Sequence, residues 1–193
     1  FLPNSKLNFA ENLLSKNNND KAITFISENN FREERSWAEL NENTLKIVNF
    51  FRQRGIKQKD RVVAYMPNTI ETVEAFIATA AIGAIWSSCS PDFGVKGVIE
   101  RFSQINPKIL FITDQYFYNG KQINIIDRLP EILEAIPSIK NVIVTNYPGK
   151  SSLKFKKKIC KIKITSWSEL MKINTKEMIY SNFDFEHELA ILY

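Results

Sequence analysis

The sequence holds one histidine, two cysteines, six glycines and seven prolines in 193 residues. Each scarcity excludes something. The lone His187 lies between Glu186 and Glu188 near the end of the chain, and its plain reading is a surface histidine ahead of a strand. Cys89 and Cys160 stand 71 positions apart with no C-x-x-C pair, which excludes a zinc site and a disulfide framework. Two thiols fit a reducing cytoplasm. Glycine and proline are too few for a collagen-like or linker-dominated chain. Dinucleotide (G-x-G-x-x-G), P-loop (G-x-x-x-x-G-K-[ST]) and esterase (G-x-S-x-G) signatures are all missing. The longest apolar run, Ala75 to Trp86, is twelve residues with Thr79 inside it. It is too short to span a bilayer and reads as a buried helix running into a strand. We expect no signal peptide. We therefore expect no membrane partner.

Charge of one sign is scarce outside a single stretch. The net charge is +5, but residues 150–163 carry seven lysines and no acid. Without them, 19 basic residues face 21 acidic ones. The basic character is one local run on a near-neutral body, read as a solvated loop or edge hairpin rather than a nucleic-acid surface.

What is present alternates. Residues 22–27 and 31–35 read as a hairpin around Glu28-Asn29-Asn30. Ser36-Trp37-Ala38-Glu39 is a capping box, and a helix is expected from about 37 to 54, ended by Gly55. Strands follow at 61–66, 84–88, 108–113 and 141–145, with helices between them from 70 to Gly83, from Ser90-Pro91 to Ile105, and over 125–136. These strands are apolar throughout, as expected when both faces of a parallel sheet are covered. The lysine run alternates with Ile159, Ile162 and Ile164, the pattern of an exposed hairpin, and Glu188–Tyr193 reads as a last strand. The expected fold class is α/β, a mainly parallel sheet with helices on both faces. We divide it into a hairpin and helix over 1–60, a parallel core over 61–145, and a lysine-rich segment with a final strand over 146–193. The chain opens without methionine and stops in a strand, so we expect it to be part of a longer protein.

Two strand-end segments draw chemical interest. Ser87 to Gly94 follows one strand and opens a helix. Asp114 to Lys121 follows the next strand. Ligands of open α/β sheets bind beyond the carboxyl ends of strands. A helix N-terminus beside a lysine can hold a phosphorylated ligand, although ordinary connecting loops account for the same residues. The spacing of Gly94 and Gly97 taken alone reads as a turn glycine and a packing glycine.

The residues that say more are Leu7–Leu14, Ser36–Leu40, Asp60–Asn68, Gly83–Gly94, Pro107–Phe111 and Tyr118–Lys121. Through them the sequence resembles the adenylate-forming acyl-CoA synthetases. The run Trp86-Ser87-Ser88-Cys89-Ser90-Pro91-Asp92-Phe93-Gly94 is similar to the branch that activates acetoacetate. The resemblance implies ATP-driven conversion of a short carboxylate to an acyl-adenylate, with magnesium accompanying ATP, and then thioester formation with coenzyme A. It places the phosphate loop, adenine segment, ribose-binding aspartate and C-terminal lysine after Tyr193. No adenylation residue is carried onto this chain, which alone is expected to be inactive. Its partners are then the carboxylate, coenzyme A and the rest of the same chain. Four positions carry over, all toward coenzyme A. Phe93 and Gly94 match a Phe-Gly pair near its nucleotide. Gly120 and Lys121 match the end of an Arg-x-Gly-Arg segment that holds its phosphates. Tyr118 replaces the first arginine, which removes one bidentate grip. The competing readings are an acetyl- or propionyl-CoA synthetase, and a non-catalytic α/β module that docks through its lysines. A Ser-Ser-Gly-Thr-Thr-Gly-type loop after Tyr193 would separate the ligases from the module.

Overall fold

The computed structural model describes residues 4–28, 30–150, 154–155, 158–159, 161–175 and 177–193. A short strand β1 (Lys6–Leu7) leads into α1 (Phe9–Leu13). Asn8 caps that helix, and its buried amide donates to the carbonyls of Ala81 at 3.0 Å and Ser181 at 2.9 Å. The hairpin β2 (Lys21–Ile26) and β3 (Arg32–Ser36) is antiparallel. Helix α2 (Trp37–Gln53) starts at the capping box: the Glu39 amide donates to Ser36 Oγ at 3.2 Å, and the Ser36 amide donates to Glu39 Oε2 at 2.8 Å. Just past it, Gly55 takes φ +68°, the left-handed conformation that ends helices.

The alternation that follows is β4 (Arg61–Tyr65), α3 (Ile70–Ala81), β5 (Ile85–Cys89), α4 (Val95–Phe102) and β6 (Ile109–Thr113). Then come β7 (Gln115–Tyr118), β8 (Lys121–Asn124), α5 (Leu129–Ala135), β9 (Asn141–Thr145), β10 (Lys158–Ile159), β11 (Ile162–Ser166), α6 (Trp167–Leu170) and β12 (Phe183–Asp184). The main sheet runs β10-β11-β9-β6-β4-β5, parallel except for β10. Successive strand residues point to opposite faces. Val62, Ala64, Ile109, Phe111 and Ile143 therefore pack with residues of α2 and α3 on one side. Val63, Tyr65, Leu110, Ile112, Val142 and Val144 pack with α4 and α5 on the other. Each fully buried Ile, Leu or Phe contributes about 1.5–3 kcal/mol of burial. The expected architecture and its hairpin, helix and strand order are present.

Four local expectations shift. The helix opening at Ser90-Pro91 begins instead at Val95, with Gly94 as its N-cap. The carbonyls of Pro91 and Phe93, which a longer helix would use in its own ladder, accept from Tyr65 and Arg128 instead. The segment from Asp114 to Lys121 is a hairpin rather than a plain loop: β7 pairs with β8 across Asn119 (φ 49°) and Gly120 (φ 71°). Two left-handed residues in sequence form the tight turn that Asn-Gly favours. The 125–136 helix splits into a 3-10 turn at Ile126–Arg128 and α5, with Pro130 in the first turn where its missing amide costs nothing. The last strand reduces to a parallel bridge of Ala190 with Trp86, in which the Ile191 amide donates to the Trp86 carbonyl at 2.8 Å.

The lysine run forms the hairpin of β10 and β11, and β11 also joins the main sheet beside β9. Lys158, Lys161 and Lys163 are exposed while Ile164 is 1% exposed, so the segment is solvated on one face and core on the other. Lys156, Lys157 and Cys160 lie outside the described residues. His187 is half-buried: its Nε2 is 2.9 Å from the Gly83 carbonyl and its ring stacks on Phe183.

Candidate functional site

The five parallel strands stand in the order second, first, third, fourth, fifth, counted along the chain. The order reverses between β4 and β6, and open sheets of this kind bind ligands beyond the carboxyl ends at such a reversal. Three segments converge there. The β4–α3 corner brings Met66, Pro67, Asn68 and Thr72, the end of β5 brings Ser88 to Asp92, and the hairpin after β6 brings Tyr116 and Tyr118. Together they line a cleft of about 210 Å³. A second, more apolar cleft of about 270 Å³ lies at the other end of β5, around Gly83, Phe183 and His187, away from the strand carboxyl ends.

A chain of side-chain bonds ties the segments together. Ser90 Oγ donates to Asp92 Oδ2 at 2.7 Å and shapes the turn. Asp92 Oδ1 accepts from the Tyr116 hydroxyl at 2.9 Å, joining the β5 loop to the β7–β8 hairpin. Burial first, and then the Asp92 carboxylate, push the Tyr116 phenol up to about 12, so it stays a donor. The Tyr65 hydroxyl lies 2.5 Å from the Phe93 carbonyl and 3.2 Å from that of Pro91. Burial raises its pKa against the pull of Arg128. Arg128 Nη1 donates to the Tyr65 hydroxyl and to the carbonyls of Pro91 and Phe93, each carbonyl at 3.2 Å. Arg101 lays its guanidinium over the Phe93 ring, 4.3 Å from its centre.

The four positions expected to face coenzyme A sit on these segments. Phe93 keeps 40% of its surface exposed. Gly94 is the uncapped first residue before α4, and a Cβ there would meet nothing within 4 Å. Gly120 supplies the turn of the β7–β8 hairpin, and a Cβ there would likewise meet nothing within 4 Å, although its φ is +71°. Lys121 is exposed and pairs across the hairpin with Tyr118. Tyr118 lines the cleft, whereas Phe93, Gly94, Gly120 and Lys121 are not among its lining residues. Gly97 is a packing glycine, 3.4 Å from Arg101 Nη1 and from Phe93 Cδ1 by its absent Cβ. Cys89 is buried and burial raises its thiol pKa, which makes it an inert core residue. Sequence reading missed Tyr65, Arg101, Tyr116 and Arg128. Asn119-Gly120 between alternating residues could have revealed the hairpin that carries Tyr116; nothing local marks Arg128. Among the described residues no group of three or more His, Cys, Asp or Glu side chains is placed to hold a metal ion.

With fold and site in view, the comparisons define a class. The model of a family described as AMP-binding enzyme matches residues 11–175, and the chain belongs to that family. Within it, the acetoacetyl-CoA synthetase of Gallus gallus is 43% identical over 145 residues, 74% of this chain and 22% of that one. The acetoacetyl-coenzyme A synthetase of Rhizobium meliloti (strain 1021) is 40% identical over 152 residues, 79% of this chain and 23% of its own length. The solved acetoacetyl-CoA synthetase from Streptomyces lividans superposes with a TM-score of 0.86 at 31% identity, over 97% of this chain and 28% of that one. The chain thus spans about a fifth of the length of the curated relatives it matches.

Proposed function

We propose that the complete protein is an AMP-forming acetoacetate–CoA ligase and that this chain is the N-terminal part of its large domain. The observation that carries this reading is the likeness to acetoacetyl-CoA synthetases in sequence and fold together. In the proposed reaction the carboxylate attacks the α-phosphorus of ATP and releases pyrophosphate, giving the acyl-adenylate, whose carbonyl the thiol of coenzyme A then attacks with AMP leaving; magnesium, when bound, would accompany the ATP phosphates. The residues that perform the first step are assigned to the remainder of the protein. The role of this chain is to receive coenzyme A at the carboxyl edge of its sheet. Phe93 offers an exposed ring held under Arg101, and Gly94 leaves the start of α4 open. Gly120 allows the tight turn that sets Lys121 at the rim, where its ammonium meets a phosphate as a point charge. Among the described residues no helix is long and apolar enough to cross a membrane. The free, buried thiol of Cys89 suits the reducing cytoplasm in which we place the enzyme.

The test is the full-length protein with ATP, magnesium and coenzyme A, offered acetoacetate, acetate and propionate in turn while AMP and thioester are measured. The reading expects acetoacetate to give the highest kcat/KM. Preference for acetate or propionate would replace it with the neighbouring synthetase. Absence of adenylate with every acid would favour a non-catalytic module.

A further inference from the structure

Arg128 is a half-buried cation that no carboxylate pairs with among the described residues. It sits in the 3-10 turn before α5, yet its guanidinium reaches back 37 positions to the carbonyl of Pro91 and 35 to that of Phe93. Its third partner is the hydroxyl of Tyr65, whose ring is wholly buried at the end of β4. That hydroxyl in turn points its one hydrogen at the same two carbonyls. Two donors from two different elements are thus spent on one short loop.

The consequence is local and specific. A helix started at Pro91 would give its Pro91 and Phe93 carbonyls to amides four residues on, at Val95 and Gly97. With those carbonyls taken from the side, the helix begins at Val95, and Gly94 remains extended at φ −66°, ψ 162°. Phe93 is left displayed instead of wound into a first turn. The acceptors are main-chain oxygens, so the sequence of the loop itself carries no mark of the arrangement. Arginine suits the position because its planar fork can serve several oxygens at once while staying charged, which a lysine ammonium does less well.

We propose that Arg128, acting with Tyr65, is a positioning residue for coenzyme A: it holds Pro91–Gly94 in the extended shape that presents Phe93 and Gly94 to the incoming nucleotide. The proposal rests on the reading of that loop as a coenzyme A contact. It assigns Arg128 no contact with the adenylate, so the two half-reactions respond differently. An arginine that instead gripped a phosphate directly would act without Tyr65.

The experiment uses the full-length ligase and its variants Arg128→Gln, Arg128→Lys, Tyr65→Phe, the Arg128→Gln/Tyr65→Phe double, and Phe93→Ala as a reporter of the loop. ATP–pyrophosphate exchange reads the first half-reaction, the KM for coenzyme A reads the second, and thermal melting checks folding. Arg128→Gln is expected to raise the coenzyme A KM about tenfold, the worth of one hydrogen bond to a charged donor, with exchange nearly unchanged. Tyr65→Phe should move the same constant in the same direction, and the double variant should add little to Arg128→Gln, because coupled groups are not additive. Arg128→Lys should recover part of the loss. If Arg128→Gln leaves the coenzyme A KM unchanged while Phe93→Ala raises it, the loop reading stands and the role of Arg128 is overturned. If neither variant changes it, the loop reading itself has failed. Equal loss in both half-reactions, or full additivity of Arg128→Gln and Tyr65→Phe, would also overturn the positioning role.

Discussion

Glu74 lies in the middle of α3 with no exposed surface. Its Oε1 accepts from Arg35 Nε at 3.2 Å and Asn43 Nδ2 at 2.9 Å, while its Oε2 has no hydrogen-bond partner. Burial raises its pKa to about 7, against the opposing pull of Asn43 and Arg35. The sign of the linkage follows from that. A carboxyl that binds its proton more tightly folded than unfolded stabilises the fold fully below its unfolded pKa, and that stability is lost as pH rises through the folded value. Stability should therefore fall between about pH 4.5 and pH 7, by up to ~3 kcal/mol. Glu71, on the same helix, is also raised, chiefly by burial, and adds in the same direction. Melting temperature followed against pH should show the decline, and Glu74→Gln should flatten most of it, leaving the part due to Glu71. A slope unchanged in Glu74→Gln would remove Glu74 as its source. None of this is legible in the sequence, where Glu74 only marks the edge of an apolar run. Its partners Asn43 and Arg35 stand 31 and 39 positions away, and only the packing of α2 and the β2–β3 hairpin on α3 brings them together.

At the scale of elements, local chemistry was legible wherever the signal and its partner lie within one turn. The Ser36–Glu39 capping box starts α2 where it reads, and the same box at Ser166 and Glu169 starts α6. Ser36→Ala should cost about 1 kcal/mol, a fall in melting temperature of about 2–4 °C for a domain of this size. A loss below the resolution of a melting curve would show that α2 is set by its packing alone. Two of the misread elements depend on distant partners, unlike the β7–β8 hairpin, whose Asn119-Gly120 turn is a local signal. The Pro91 and Phe93 carbonyls ahead of α4 accept from Tyr65 and Arg128, and the last strand reduces to one bridge between Ala190 and Trp86. At Gly83, with φ +66°, an added Cβ would lie 2.4 Å from the Phe183 ring. Gly83→Ala should therefore loosen the segment around Phe183 from the β5 edge and destabilise by more than the ~1 kcal/mol of backbone strain alone. Phe183→Ala in the same chain should return the excess but not the strain. Full recovery in the double variant would show that the backbone at Gly83 carries no strain.

For the whole molecule, the doubly covered parallel sheet follows from strands apolar on both faces, a property of composition that needs no tertiary knowledge. The placement of chemistry beyond the strand carboxyl ends follows from the same pattern. The bonding that joins the β5 loop, the β7–β8 hairpin and α5 at that edge does not, since it is made by Tyr65, Asp92, Tyr116 and Arg128 from four separate segments. The proposed duty of this chain in the ligase is to receive coenzyme A after the adenylate has formed. Lys121 is the simplest probe of that duty, because it is exposed and no carboxylate lies within ion-pair distance of it among the described residues. A charge-assisted contact is worth ~1.5–3 kcal/mol, so Lys121→Ala in the full-length enzyme should raise the KM for coenzyme A about tenfold to a hundredfold. ATP–pyrophosphate exchange with acetoacetate should stay nearly intact, and the defect should shrink as salt screens the pair. Measuring both half-reactions of Lys121→Ala across ionic strength decides it: a selective, salt-sensitive loss in the coenzyme A step agrees with the account, and equal impairment of both steps, or of neither, contradicts it.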